Sequence, residues 1–244
     1  MPHLPHLRQR PLRHRLAWLF AALALLAGPV AASPASAAGP GPASAAETGP
    51  VSASVPLQPL GPVSACSADD YDNDARLGPA VLPDRGVVGR ELVGYQRFGG
   101  MTEAGFLKQY WDSAANGWRY PPADGFLIGR DGKPVKHAYR LRVNLRVDRF
   151  GSEYGGFLAP YGTRYAKRSI PPQSLDNAQN PAGCNWRAYR VLRAFEVQSG
   201  PIAPAFAQPG HGVQYMLDGA LVPGAPSRLN VLWLVDNGYL ARLN

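Results

Sequence analysis

Tyr139-Arg140-Leu141-Arg142-Val143-Asn144-Leu145-Arg146-Val147-Asp148 alternates without a break. In an extended chain Tyr139, Leu141, Val143, Leu145 and Val147 fall on one side, and Arg140, Arg142, Asn144, Arg146 and Asp148 on the other. A period of two held this long predicts a half-buried strand, with its apolar face on a core and its charged face in water. Arg149 then departs from the pattern. If the strand runs one residue further, Arg149 points to the apolar side, where a charge needs a partner to offset its desolvation; if the strand ends at Asp148, Arg149 turns into solvent. A second alternation, Tyr189, Val191, Phe195 and Val197, predicts another strand, with Arg193 interrupting its apolar side.

Outward from these strands the helical signals are few. Thr102 can cap a helix carrying Phe106, Leu107, Tyr110 and Trp111 at helical spacing and ending before Gly117. Ser227 can cap a last helix carrying Leu229, Leu232 and Val235, with Gly238 placed to stop it in the left-handed conformation. Three prolines and three glycines between Ser199 and Tyr215 make that segment a shaped loop. Strands and short helices are mixed without a repeating βαβ order. This predicts an α+β fold, a single small domain on a twisted, mainly antiparallel sheet with a few short helices, over residues 66–244.

The 65 residues before it have another character. Arg8, Arg10, Arg13 and Arg15 precede an uncharged apolar run from Leu16 to Leu26, and Gly28-Pro29-Val30-Ala31-Ala32 supplies small residues for cleavage after Ala32 or Ala37. The run is short for a permanent membrane span, so residues 1–32 read as a signal peptide, an uncleaved anchor being the alternative, and the mature protein as secreted, extracellular and free of the membrane. Residues 33–65 are mostly Ala, Pro, Ser and Gly with Glu47 as the one charge, a linker that buries too little apolar surface to repay ordering. Of the 25 Lys and Arg residues four precede Ser33, leaving 21 against 17 acidic residues, a net +4 where the whole chain has +8. That bias suits a small anionic substrate and is too thin for nucleic acid.

Cys66 and Cys184 are the two cysteines of the chain. Export places them where a disulfide is expected, two separate thiols being the alternative. Three of the five histidines fall in the signal peptide, leaving His137 and His211 with no HxxxH or CxxC spacing, so no metal site is expected. No serine occupies a GxSxG elbow, and Gly210-His211-Gly212 lacks the third glycine and preceding strand of a dinucleotide fingerprint.

Six segments follow one another in a specific order: Tyr120-Pro121-Pro122-Ala123-Asp124-Gly125-Phe126, Asp148-Arg149-Phe150-Gly151, Tyr154-Gly155-Gly156-Phe157-Leu158, Arg168-Ser169-Ile170-Pro171-Pro172, the loop from Gly200 to Tyr215, and Asn237-Gly238-Tyr239-Leu240. In this order they resemble the NAD glycohydrolase domain of the tuberculosis necrotizing toxin family, including its secreted fungal surface members. The resemblance implies cleavage of the nicotinamide-ribose bond of NAD, giving ADP-ribose and nicotinamide. It leaves open NADP as a second substrate, an inhibitory partner protein, ADP-ribosyl transfer or cyclisation on the same scaffold, and a secreted domain that only binds.

By the same resemblance Arg149 contacts the pyrophosphate, Gln214 is the residue most critical near the reacting ribose, and Phe126 and Phe157 flank the nicotinamide. The founding toxin also uses a histidine before its glutamine; between His137 and His211 this chain has none. No cofactor is implied beyond the substrate, except that Asp236 matches a region where fungal members hold calcium, and one carboxylate beside Asn237 falls short of the six to eight oxygens calcium takes. The residue types suit the chemistry: an amide both donates to and accepts from ribose hydroxyls, a guanidinium fork fits phosphate oxygens, and an aromatic face fits a flat ring. Each has a plainer alternative. Gln214 could brace the Pro-Gly loop, Arg149 could pair with Asp148 or Glu153, Arg168 could be a second phosphate contact or structural, and both phenylalanines could be core.

Overall fold

The computed structural model describes residues 65–244. The signal peptide and nearly all of the linker read from the sequence lie outside the described residues. Among the latter, β1 (Trp111–Asp112) and β2 (Gly117–Trp118) pair as a small hairpin. Strands β3 (His137–Leu141), β4 (Arg146–Phe150), β5 (Phe157–Pro160), β6 (Trp186–Val191), β7 (Phe195–Pro201), β8 (Val213–Met216) and β9 (Leu240–Arg242) form one sheet in the order β3-β7-β8-β5-β4-β6-β9. Every neighbouring pair in it is antiparallel, and with three short helices the fold is α+β.

The alternating run that suggested one strand over 139–148 is divided. Residues 142–145 bend between β3 and β4, with Asn144 at φ 69°. The second alternation divides likewise at 192–194, between β6 and β7. The two bends face each other: Asn144 N donates to Val191 O at 2.8 Å and Val191 N donates to Leu145 O at 2.9 Å. β3 therefore continues into β4 opposite β7 continuing into β6, and the paired corners fold one long ladder into two half-sheets joined through β5. Strands that switch sheets at a bend are how such corners are made. The bend also moves residues off the predicted core face. Val143 is exposed, and Arg193 escapes the core by lying over the Tyr239 ring, 4.2 Å from its centroid.

The inner face of the folded sheet carries Leu141, Val147, Leu158, Tyr189, Val191, Phe195, Val197 and Tyr215, closed by Val231 and Leu234 of helix α3 (Val231–Asp236). The cap expected of Ser227 belongs to Asn230, whose side chain accepts from Trp233 N at 2.9 Å. Leu229 explains the shift: it is buried in this core before the helix begins, and Asn caps as well as Ser does. Gly238 ends the helix at φ 69° as read from the sequence.

Chain preceding β3 packs around the sheet's other side. It includes α1 (Gly86–Glu91) and α2 (Glu103–Tyr110), the latter capped by Thr102 Oγ1, which accepts from Gly105 N at 3.2 Å. Phe106 of α2 is fully buried with Leu77 and Phe206; Trp111, expected on the helix, instead opens the β1–β2 hairpin. Cys66 and Cys184 form the expected disulfide, tying the first described residues to the turn before β6 inside a second core of Leu92, Phe150, Tyr165 and Leu175.

Candidate active site

Register sorts the sheet into two faces. Asp148 pairs with Ala159, Phe157 with Met216 and Gly200 with Gln214, so Asp148, Phe157, Ala159 and Gln214 share the face opposite Val147, Leu158 and Tyr215. On that outer face opens a cavity of about 470 Å³, within the range of small-molecule sites. Arg149, Phe157, Gln214, Tyr120, Ser169 and Ile170 are among its lining.

The loop between β7 and β8 sets Gln214. Ile202 N donates to Gly212 O at 2.8 Å, His211 N to Ile202 O at 2.9 Å and Gly212 N to Lys167 O at 3.0 Å. A Cβ on Gly212 would stand 2.6 Å from Lys167 O, so glycine is what lets this loop lie against its neighbour. Gln214 then emerges on β8, 8% exposed, and its amide Nε2 donates to Asp124 O at 2.9 Å. One amide hydrogen is thus spent on orienting the group, and the other hydrogen and the carbonyl oxygen remain as its capacity toward a ligand. The bond also joins β8 to the Tyr120–Phe126 segment, which forms another wall of the cavity.

Arg149 is the penultimate residue of β4, which runs on to Phe150. Its guanidinium lies beneath the turn after the strand, where Nε donates to Gly151 O at 3.3 Å and Nη1 to Phe157 O at 3.0 Å. A Cβ on Gly155 would sit 2.2 Å from Nη2, so only glycine leaves room for the fork there. Burial pulls the guanidinium down to about 10, with Arg187 adding repulsion and Tyr189 and Glu153 opposing it; the group stays cationic at neutral pH. Among the described residues neither proposed acidic partner forms a hydrogen bond or close ion pair with it. Asp148 pairs with Arg168, and Glu153 pairs with Arg242 at 2.5 Å and accepts from Tyr189 OH at 2.9 Å. A half-buried cation bonded to carbonyls alone, at a cavity wall, suits an anionic ligand.

Arg168 also lines the cavity, yet its Nη2 is held by Asp148 Oδ1 at 2.6 Å, Glu91 Oε2 at 2.9 Å and Thr163 O at 2.7 Å. The structure brings Arg149, Gln214 and Phe157 to one cavity and leaves Phe126 out of its lining. Phe126 is fully buried, packed against Gly200 with Lys136 Nζ 5.3 Å from its ring centre, so it supports the wall from behind, as the core alternative has it. Phe157 stands at the rim, 42% exposed. Tyr120, another residue of the lining, opens the Tyr-Pro-Pro segment, the one signal in the sequence that points to it. His137 and His211 are exposed and are not among the residues that line this cavity.

Among the described residues no group of three or more His, Cys, Asp or Glu is arranged to hold a metal ion. Beside Asp236, Asn237 Nδ2 donates to Trp233 O at 2.8 Å.

The tuberculosis necrotizing toxin family model matches residues 140–243, a span holding Arg149, Phe157, Arg168 and Gln214. The conidial surface nicotinamide adenine dinucleotide glycohydrolase of Aspergillus fumigatus is 43% identical over 187 residues, covering 73% of this chain and 76% of the relative. The solved structure of tuberculosis necrotizing toxin complexed with its immunity factor aligns over 70% of this chain and 79% of its own, with 18% identity and a TM-score of 0.43. The chain belongs to the tuberculosis necrotizing toxin family of NAD glycohydrolase-like proteins.

Proposed function

We propose that this protein hydrolyses NAD at its nicotinamide-ribose bond, releasing nicotinamide and ADP-ribose. The observation that carries the reading is the meeting of Arg149, Gln214 and Phe157 at one cavity in a chain 43% identical to a named NAD glycohydrolase. Arg149 offers its free donors to the pyrophosphate, Gln214 holds ribose hydroxyls, and Phe157 covers the nicotinamide.

The leaving group explains why so few titratable groups suffice. An ordinary glycoside must have its departing oxygen protonated, hence the two carboxylates that flank such bonds. Nicotinamide in NAD is a pyridinium: as the C–N bond breaks, the electron pair goes to the ring nitrogen and nicotinamide leaves neutral. The ribose becomes oxocarbenium-like, water adds at the anomeric carbon, and the water's proton passes to solvent. The protein's part is to hold the ribose and shelter the cation while water enters.

The protein acts outside the cell, a proposal supported by the Arg-flanked apolar run at its start and by the conidial surface location in its relative's name. An inhibitory protein would have to cover the cavity mouth, where Tyr120 and Phe157 are exposed.

Product analysis tests the function. Purified protein given NAD is expected to yield nicotinamide and free linear ADP-ribose in equal amounts, with NADP run alongside as a second substrate. Cyclic ADP-ribose or ADP-ribosylated protein would move the reading to cyclisation or transfer, and absence of nicotinamide would leave a binding domain.

A further inference from the structure

Behind the cavity three charged side chains are shut away from water. Arg168, Glu91 and Asp148 have side chains 5%, 2% and 0% exposed. Glu91 is the last residue of α1 and lies far outside the span that the family model matches. Its Oε2 accepts from Arg168 Nη2, while its Oε1 is buried with no hydrogen-bond partner among the described residues. Asp148 is better served: Oδ1 accepts from Arg168 and Oδ2 from Gly162 N at 2.8 Å. Arg168 lies over the Phe150 ring, 5.1 Å from its centre, and Arg168, Phe150 and Ser169 all line the cavity.

Charge counting decides the state of this cluster. One guanidinium faces two carboxylates, so if both were ionised a negative charge would be left uncompensated in a dry interior. Glu91, with the fewer donors, is the one that keeps a proton. A protonated Glu91 has an O–H to give to Asp148 while still accepting from Arg168, which closes the cluster with its charges balanced.

We propose that Glu91 is a positioning residue for NAD cleavage: protonated, it completes a Glu91–Arg168–Asp148 clasp that fixes the inner wall of the cavity, and its ionisation loosens that wall. This rests on the NAD hydrolase reading. The charged groups that face Glu91 are Arg168, from the turn after β5, and Asp148, from β4. Burial pushes its carboxyl up to about 8; Arg168 opposes that rise and Asp148 reinforces it. Because the folded value lies above the unfolded one, the native state holds an extra proton between about pH 4.5 and 8, and stability falls as pH rises across that window.

Two variants of the full chain test the clasp, each followed by kcat and KM for NAD from pH 6 to 9.5 and by thermal unfolding over the same range. Glu91→Gln keeps the shape, accepts from Arg168 and donates to Asp148 without ionising. It is expected to stay within about threefold of wild-type kcat/KM at pH 7, to lack the alkaline fall near pH 8 that is expected of the wild type, and to show a shallower decline of Tm with pH. Glu91→Ala is expected to lower kcat/KM at least tenfold at pH 7. An alkaline fall unchanged in Glu91→Gln, or a Glu91→Gln protein as impaired as a folded Glu91→Ala one, would overturn the proposal. A wild type that releases no nicotinamide would count against the function instead; the Tm comparison still decides whether Glu91 carries the proton, and an unaltered slope in Glu91→Gln would overturn it there too.

Discussion

At the scale of single residues the site is built from groups whose backbone setting was as decisive as their identity. Arg149 has room for its guanidinium because Gly151 and Gly155 leave it a channel, and its neighbours Asp148 and Glu153 pair with Arg168 and Arg242. Arg149→Lys tests the fork. Lysine keeps the charge but loses the planar pair of donors, so KM for NAD should rise with a smaller change in kcat in steady-state kinetics; an unchanged KM would make Arg149 structural. The ordered motifs single out Arg149 and Gln214, and both lie at the cavity. Phe126 and Phe157 read alike in sequence, and only the sheet separates them: Phe157 sits on the outer face at the rim, while Phe126 is sealed behind Gly200. Glu91 was invisible, since it meets Arg168 across 77 residues and nothing in a local pattern reports such a meeting.

At the scale of elements the alternations of 139–148 and 189–197 report extended chain and hide the corners that divide each into two strands. A bend does not interrupt a period of two when it falls between residues that still alternate in polarity. Asn144 carried the one local hint, because Asn tolerates the left-handed conformation it adopts here. These corners matter for function: they fold the sheet so that β8 and β5 bring Gln214 and Phe157 to one cavity with the end of β4. Helix α3 closes the opposite face. Its cap at Asn230 predicts that Asn230→Ala costs about 1 kcal/mol of stability in denaturant unfolding, while Ser227→Ala, at the position first read as the cap, leaves it nearly unchanged. The reverse ranking would mean that the helix starts earlier in solution.

At the scale of the whole molecule, α+β class and antiparallel pairing followed from the absence of βαβ order, but how the chain before β3 wraps the site did not. That segment has little periodicity; its place is set by the disulfide, the buried Glu91 and the aromatic cluster around Phe106. The Cys66–Cys184 link spans 118 residues, and closing a loop of that length is worth about 4–5 kcal/mol in the chain-entropy model. Replacing both cysteines by serine should therefore lower stability by a few kcal/mol and reduce NAD cleavage at elevated temperature before it does so in the cold, which paired unfolding and activity curves would reveal. In the proposed function one cavity on the outer face of this sheet cleaves NAD, with Gln214 orienting the ribose. The most direct measurement is NAD turnover by a folded Gln214→Ala protein beside the wild type, with circular dichroism matched. Loss of an oriented group that acts in the transition state costs roughly 2.7–4 kcal/mol, so kcat should fall about a hundred- to a thousandfold with the fold intact; turnover close to the wild-type rate would contradict the account and leave Gln214 as a brace between β8 and Asp124.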